Sequence, residues 1–172
     1  SSAGKDSFDV EPAEKATRGT ELHLHLKEEH KEMLEGWRLR QLVQRYSDYV
    51  AYPIELVSQP EKEGEEEKRE TINQGRALWQ RPKSEITDEQ YEELYKHLTH
   101  AWDKPAFRTH FRVEGTQEFV GLLWIPTDPP FDLDDPRKQH GVRLFVKRVL
   151  VMEDCEAILP QWLRFVRGLI DS

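Results

Sequence analysis

Nine residues near the carboxyl end limit the folds open to this chain more than any other stretch. From Leu144 to Met152 seven of nine positions are apolar, mostly β-branched or aromatic, and only Lys147 and Arg148 interrupt them. Such a run suits a strand buried on both faces. An acidic turn follows (Glu153, Asp154, Glu156), and then Ile158, Leu159, Trp162, Leu163, Phe165, Val166, Leu169 and Ile170 recur at spacings of three and four. That period predicts a helix, with Pro160 near its start, where a missing N–H costs little. Strand, turn and helix over 143–172 are therefore expected to organise the core, with Trp162, Phe165 and Leu169 inside it.

The chain has 172 residues, enough for one domain or two small ones. Its net charge of −8 argues against nucleic acid as a partner. A single cysteine, Cys155, excludes an internal disulfide framework and fits a reducing, cytoplasmic compartment. No apolar run approaches the roughly 20 residues that span a bilayer, so no membrane role is expected. The chain starts at Ser1 without an initiator Met, which reads as a fragment of a longer protein.

Residues 1–18 read as a loop or a lone edge strand. From Thr20 to Lys27 leucines alternate with Glu21, His23, His25 and Lys27, the pattern of a half-buried strand. His23 and His25 share one face of it, but with no third ligand nearby the alternation accounts for them and no metal is expected. Apolar residues from Met33 to Tyr46 predict an amphipathic helix over about 31–48. Pro53, within Tyr52–Val57, implies an edge strand. Residues 58–71 then hold six Glu, two Lys, one Arg and no apolar side chain, a charged linker or, in a second reading, an acidic binding segment.

Beyond the linker, Thr87 and Gln90 are spaced as a capping box for a helix over about 88–101. Alternation over 106–125, with Glu114-Gly115 between, predicts an antiparallel hairpin. Residues 126–141 carry four prolines and four aspartates and read as a long loop. Phe131 and Leu133 either tuck beneath that loop or offer an apolar contact. Its aspartates lack the Gly and terminal Glu of a calcium loop. No nucleophile elbow, phosphate loop, dinucleotide fingerprint or zinc-helix motif is present, and Cys155 sits among acids that disfavour a thiolate nucleophile. The residues alone thus describe an α/β chain in two parts, with an exposed loop and no self-contained active site.

Five segments in order carry a resemblance: GTELHLHL, LRQLVQRYSDYVAYPIEL, LWQRPKSEITDEQYEELYKHLTHAWDKP, the PFDL loop and LFVKRVLVMEDCEAILPQWLRFVRGLIDS. Together they resemble the heat-shock protein 90 family, most nearly its bacterial members, over essentially the whole chain. The resemblance implies that residues 1–57 are the end of a GHKL-type ATP-binding domain and that 58–71 are its charged linker. It implies that 72–172 are the first, larger part of a middle domain, an α/β sandwich like the second domain of ribosomal protein S5.

The same resemblance implies an ATP-dependent chaperone whose pocket residues precede Ser1 and whose γ-phosphate arginine follows Ser172. This chain is then expected to have no catalytic residue, to bind no cofactor itself and to turn over no ATP, with ATP and magnesium belonging to the parent. Thr20 matches the edge of the nucleotide pocket. Trp102, Phe131 and Leu133 match client-binding positions, although Asp134 stands where the family often has another aromatic. Lys147 and Arg148 match basic residues that face the ATP domain; their alternative is pairing with the acidic surface. The implied partners are client proteins and a second copy, through a C-terminal domain absent here. The competing reading is an acidic interaction adaptor without chaperone activity.

Overall fold

The computed structural model describes residues 8–12, 14–58, 67–130, 133 and 141–172. It divides into two compact units, Ser1–Lys31 and Glu32–Ser172. In the first, residues 20–27 form no strand. Leu22 and Leu24 stay more than two-thirds exposed. Alternation specifies a strand only when a neighbour pairs its backbone and covers its apolar side, and these leucines have no such cover.

The helix expected over 31–48 begins later than its apolar spacing suggests. A 3-10 turn (Glu28–Leu34) is followed by the helix α1 (Gly36–Tyr46). Strand β1 (Glu55–Ser58) pairs antiparallel with β2 (Lys68–Thr71), Glu55 opposite Thr71 and Ser58 opposite Lys68. The last residues of the expected linker are thus a strand, whereas 59–66 lie outside the described residues. Asn73 holds this region: its Oδ1 accepts from Ile54 N (2.8 Å) and its Nδ2 donates to Val50 O and Tyr52 O (3.0 Å each).

Helix α2 (Asp88–Thr99) starts at the expected box, Thr87 accepting from Gln90 N while the Gln90 side chain accepts from Thr87 N. The expected hairpin is also present as β3 (Pro105–Val113) and β4 (Phe119–Pro126), with Phe111 opposite Gly121. A Cβ on Gly121 would collide with the Phe111 ring, so the aromatic lies where only glycine leaves room.

The carboxyl-terminal third departs from its sequence reading. The apolar run is a hairpin rather than one strand: β5 (Val142–Val146), a two-residue turn at Lys147 and Arg148, and β6 (Val149–Cys155). Both turn residues have positive φ, 49° and 68°, which matches the twist of paired strands and reverses the chain. Cys155 ends β6, buried, and does not lie in an acidic turn.

No helix spans 158–170. A short 3-10 turn (Gln161–Leu163) precedes β7 (Arg167–Asp171), which lies between β4 and β5, antiparallel to the first and parallel to the second. A helix there would leave the inner edges of β4 and β5 unpaired, so tertiary demand overrides the local period. Trp162 is accordingly 73% exposed and not core, Phe165 is half-buried, and Leu169 is fully buried.

The finished sheet has the order β3-β4-β7-β5-β6. Its covered face presents Val120, Leu122, Trp124, Phe145, Leu150 and Leu169 to Tyr91, Leu94, Tyr95 and Leu98 of α2. Tyr49, Trp79 and Phe145 form an aromatic triangle, with centroids 4.6 to 5.9 Å apart. Each large apolar side chain withdrawn from water here is worth about 1.5–3 kcal/mol. The other face keeps Phe107, Val113 and Ile125 substantially exposed.

Candidate functional surfaces

The strand directions sort the loops into two groups. β3, β5 and β7 begin, and β4 and β6 finish, at one end of the sheet. The segment with Trp102, the loop with Leu133 and the turn with Trp162 all adjoin that end. The Lys147–Arg148 turn, the β3–β4 connection and Asp171 are at the opposite end.

At the first end α2 closes on His100 in the left-handed region (φ 55°), its N–H donating to Lys96 O. Thr99 Oγ1 donates to Tyr95 O (2.7 Å) and accepts from Ala101 N (3.2 Å). This cap turns the chain outward, and Trp102 follows at 97% exposure. Leu133 is half-buried, its N–H donating to Pro130 O at 2.9 Å. Phe131 lies outside the described residues. Trp162 was missed by the sequence reading because its spacing fits the helical period; Pro160 just before it and Gly168 beyond it were the available signals against a continuous helix.

At the second end a buried carboxylate governs the geometry. Asp171 is 2% exposed. Its Oδ2 accepts from Trp79 Nε1 and Gln80 Nε2, each at 2.8 Å, and its Oδ1 accepts from Arg148 N at 3.0 Å. Three N–H donors replace the water that burial removes. Lys147 N donates to Ser172 O (2.8 Å) and Ser172 N to Phe145 O (3.1 Å). Left-handed backbone costs a non-glycine residue about 1–2 kcal/mol, and these bonds hold both turn residues there. The Lys147 and Arg148 side chains form no ion pair with the described acidic residues.

Two further links brace the sheet. Arg45 of α1 grips Glu153 of β6 through two bonds of 2.8 and 2.7 Å, which hold the Glu153 carboxyl below its usual range. His110 Nε2 donates to Trp79 O (3.0 Å), so its Nδ1 is free to accept from Tyr91 OH (2.7 Å). Burial lowers the His110 pKa and favours that neutral form. Burial likewise pushes the Tyr49 phenol up to about 12.

Thr20 is exposed within the first unit. Among the described residues no group of three or more His, Cys, Asp or Glu could hold a metal ion, and no helix is long and apolar enough to cross a membrane.

The comparisons agree with this architecture. The family model described as Hsp90 protein matches residues 61–172. The middle domain of a Plasmodium falciparum heat shock protein is similar at 34% identity and a TM-score of 0.52, over 56% of this chain and 40% of that one. The chain belongs to the Hsp90 protein family, and its mixed α/β sheet is that of the family's middle domain. Within the family it is of the bacterial HtpG type. Chaperone protein HtpG of Myxococcus xanthus is 60% identical over 99% of this chain, and that of Dechloromonas aromatica is 48% identical over the same share. The chain spans 27% of the length of each of these relatives.

Proposed function

We propose that this chain is the part of an ATP-dependent chaperone that supplies client surface and couples domains, and that it holds no complete ATPase site. On this reading residues 1–57 continue the ATP-binding domain, 58–71 link, and 72–172 open the middle domain. Trp102, Phe131 and Leu133 contact unfolded or partly folded clients. Lys147 and Arg148 face the nucleotide-bearing domain, and Thr20 adds to the edge of its pocket. ATP and magnesium act in the parent protein, which pairs with a second copy.

The observation that carries the reading is the almost complete exposure of Trp102 at the end of the sheet opposite the Lys147–Arg148 turn. An aromatic left in water is a feature of contact surfaces. One sheet joining two ends can also report the state of one to the other.

Magnesium-ATP turnover tests the division of labour. The expected result is no turnover by this chain and turnover by a longer polypeptide that adds the preceding segment and the residues after Ser172. Equal rates in both would place an active site within residues assigned here to scaffold and would overturn the proposal.

A further inference from the structure

A cleft of about 870 Å³ opens beside the Lys147–Arg148 turn, between the segment 74–81 and one side of α2. Arg76, Arg81 and Arg148 line it, together with His97. Against these three arginines the described lining sets a single acidic residue, Glu93. None of the three arginines meets a carboxylate side chain among the described residues. Arg81 Nη2 donates to Glu85 O (2.7 Å), and Arg148 uses only its backbone N–H, toward Asp171. Arg40, Arg45, Arg69 and Arg108 are ion-paired and the other described arginines are not; Arg76, Arg81 and Arg148 stand apart because they line one cleft. In a chain of net charge −8, three arginines that line one cleft and have no acidic partner among the described residues mark a favourable place for an anion.

The walls narrow the class of anion. Leu78 and Leu94 give the cleft an apolar side, and Gln74 and Gln90 add amide groups. The volume suits a small organic ligand rather than a bare ion. Guanidinium forks match the oxygens of a phosphate two at a time, and one phosphate group concentrates the charge that three arginines call for. An acidic peptide spreads its charges about 3.3 Å apart per residue along an extended chain and would engage fewer of them at once. Arg148 is also held at φ 68° by Asp171, a constraint of the kind found where a side chain is kept in place for binding.

We propose that this cleft binds a phosphate ester with an apolar body, the phosphate held by Arg76, Arg81 and Arg148 and the body lying against Leu78 and Leu94. The site is separate from client contact and does not depend on it.

Phenyl phosphate is the probe, titrated into the isotopically labelled chain and followed by amide chemical shifts. Saturable shifts are expected on 74–81 and on the Glu93–His97 turn of α2. Phenol, which lacks the charge, is expected to leave them in place. The R76Q/R81Q double variant is expected to weaken binding by about tenfold or more. Arg76 makes no hydrogen bond or ion pair among the described residues, so R76Q alone provides the comparison if the double variant loses its dispersed spectrum. Non-saturating shifts, or equal affinity in variant and parent, would overturn the site. Tighter binding of hexaglutamate than of phenyl phosphate at the same amides would overturn the ligand class and make the cleft a peptide site.

Discussion

Trp79 donates its indole N–H to the Asp171 carboxylate across 2.8 Å, although the two are 92 positions apart in sequence. The same oxygen takes the Gln80 amide, and its neighbour holds Arg148 N. Removing the carboxylate strands one buried and two part-buried donors. Asp171→Ala is expected to lower stability by about 3 kcal/mol, and Asp171→Asn, which keeps one acceptor, by roughly half of that. Urea unfolding measures both; a loss under about 1 kcal/mol for the alanine variant would show that water takes over the role.

His110 gives the fold a pH dependence whose sign follows from its environment. Burial depresses its folded pKa, whereas the unfolded chain titrates near the ordinary value of about 6.5. The unfolded state therefore binds the proton first as pH falls. The contribution of neutral His110 is complete above about 6.5 and is lost as pH drops toward the folded pKa. Stability is expected to decline across that window, and His110→Gln to flatten that part of the profile. A parallel decline in the variant would assign the effect to other groups.

The Lys147–Arg148 turn combines unfavourable backbone with an exposed Lys147 and a half-buried Arg148, so its stability and its proposed role can be separated. Replacing the pair by Asn-Gly, which favours positive φ, is expected to stabilise the chain by about 1 kcal/mol. In the longer polypeptide of the proposed function the same change is expected to slow any ATP turnover. A variant that is both more stable and fully active would remove these side chains from domain coupling.

Two tryptophans provide opposite expectations. Trp79 is fully buried, and Trp79→Ala is expected to cost about 3–5 kcal/mol. Trp102 is almost fully exposed, and Trp102→Ala is expected to change stability by less than about 0.5 kcal/mol. Capture of an unfolded client by the Trp102→Ala chain, followed by suppression of client aggregation, is expected to fall. Unchanged suppression would take Trp102 out of the contact surface.

Legibility in the sequence followed the range of the interactions. The capping box at Thr87 and Gln90 and the β3–β4 hairpin depend on residues close together, and both were readable. The strand character of Arg167–Asp171 was not, because it arises from two partners, β4 and β5, contributed by distant parts of the chain. Lys147 and Arg148 hid a turn because neither residue type favours positive φ; the hydrogen bonds that hold them come from 171–172. Leu22 and Leu24 failed in the opposite sense, since perfect alternation was present without a surface to receive it. Trp102 was singled out by resemblance alone, and no local pattern distinguished it from the buried aromatics.

The position of β7 has a consequence for how the molecule is made. β7 follows the other four strands of the sheet in sequence yet stands in its middle, joining two hairpins that are each local in sequence. Until residues 167–171 leave the ribosome, β4 and β5 have bare inner edges and the two hairpins have nothing to align them. A growing chain at that stage is a half-paired polypeptide whose open strand edges are templates for pairing with other chains.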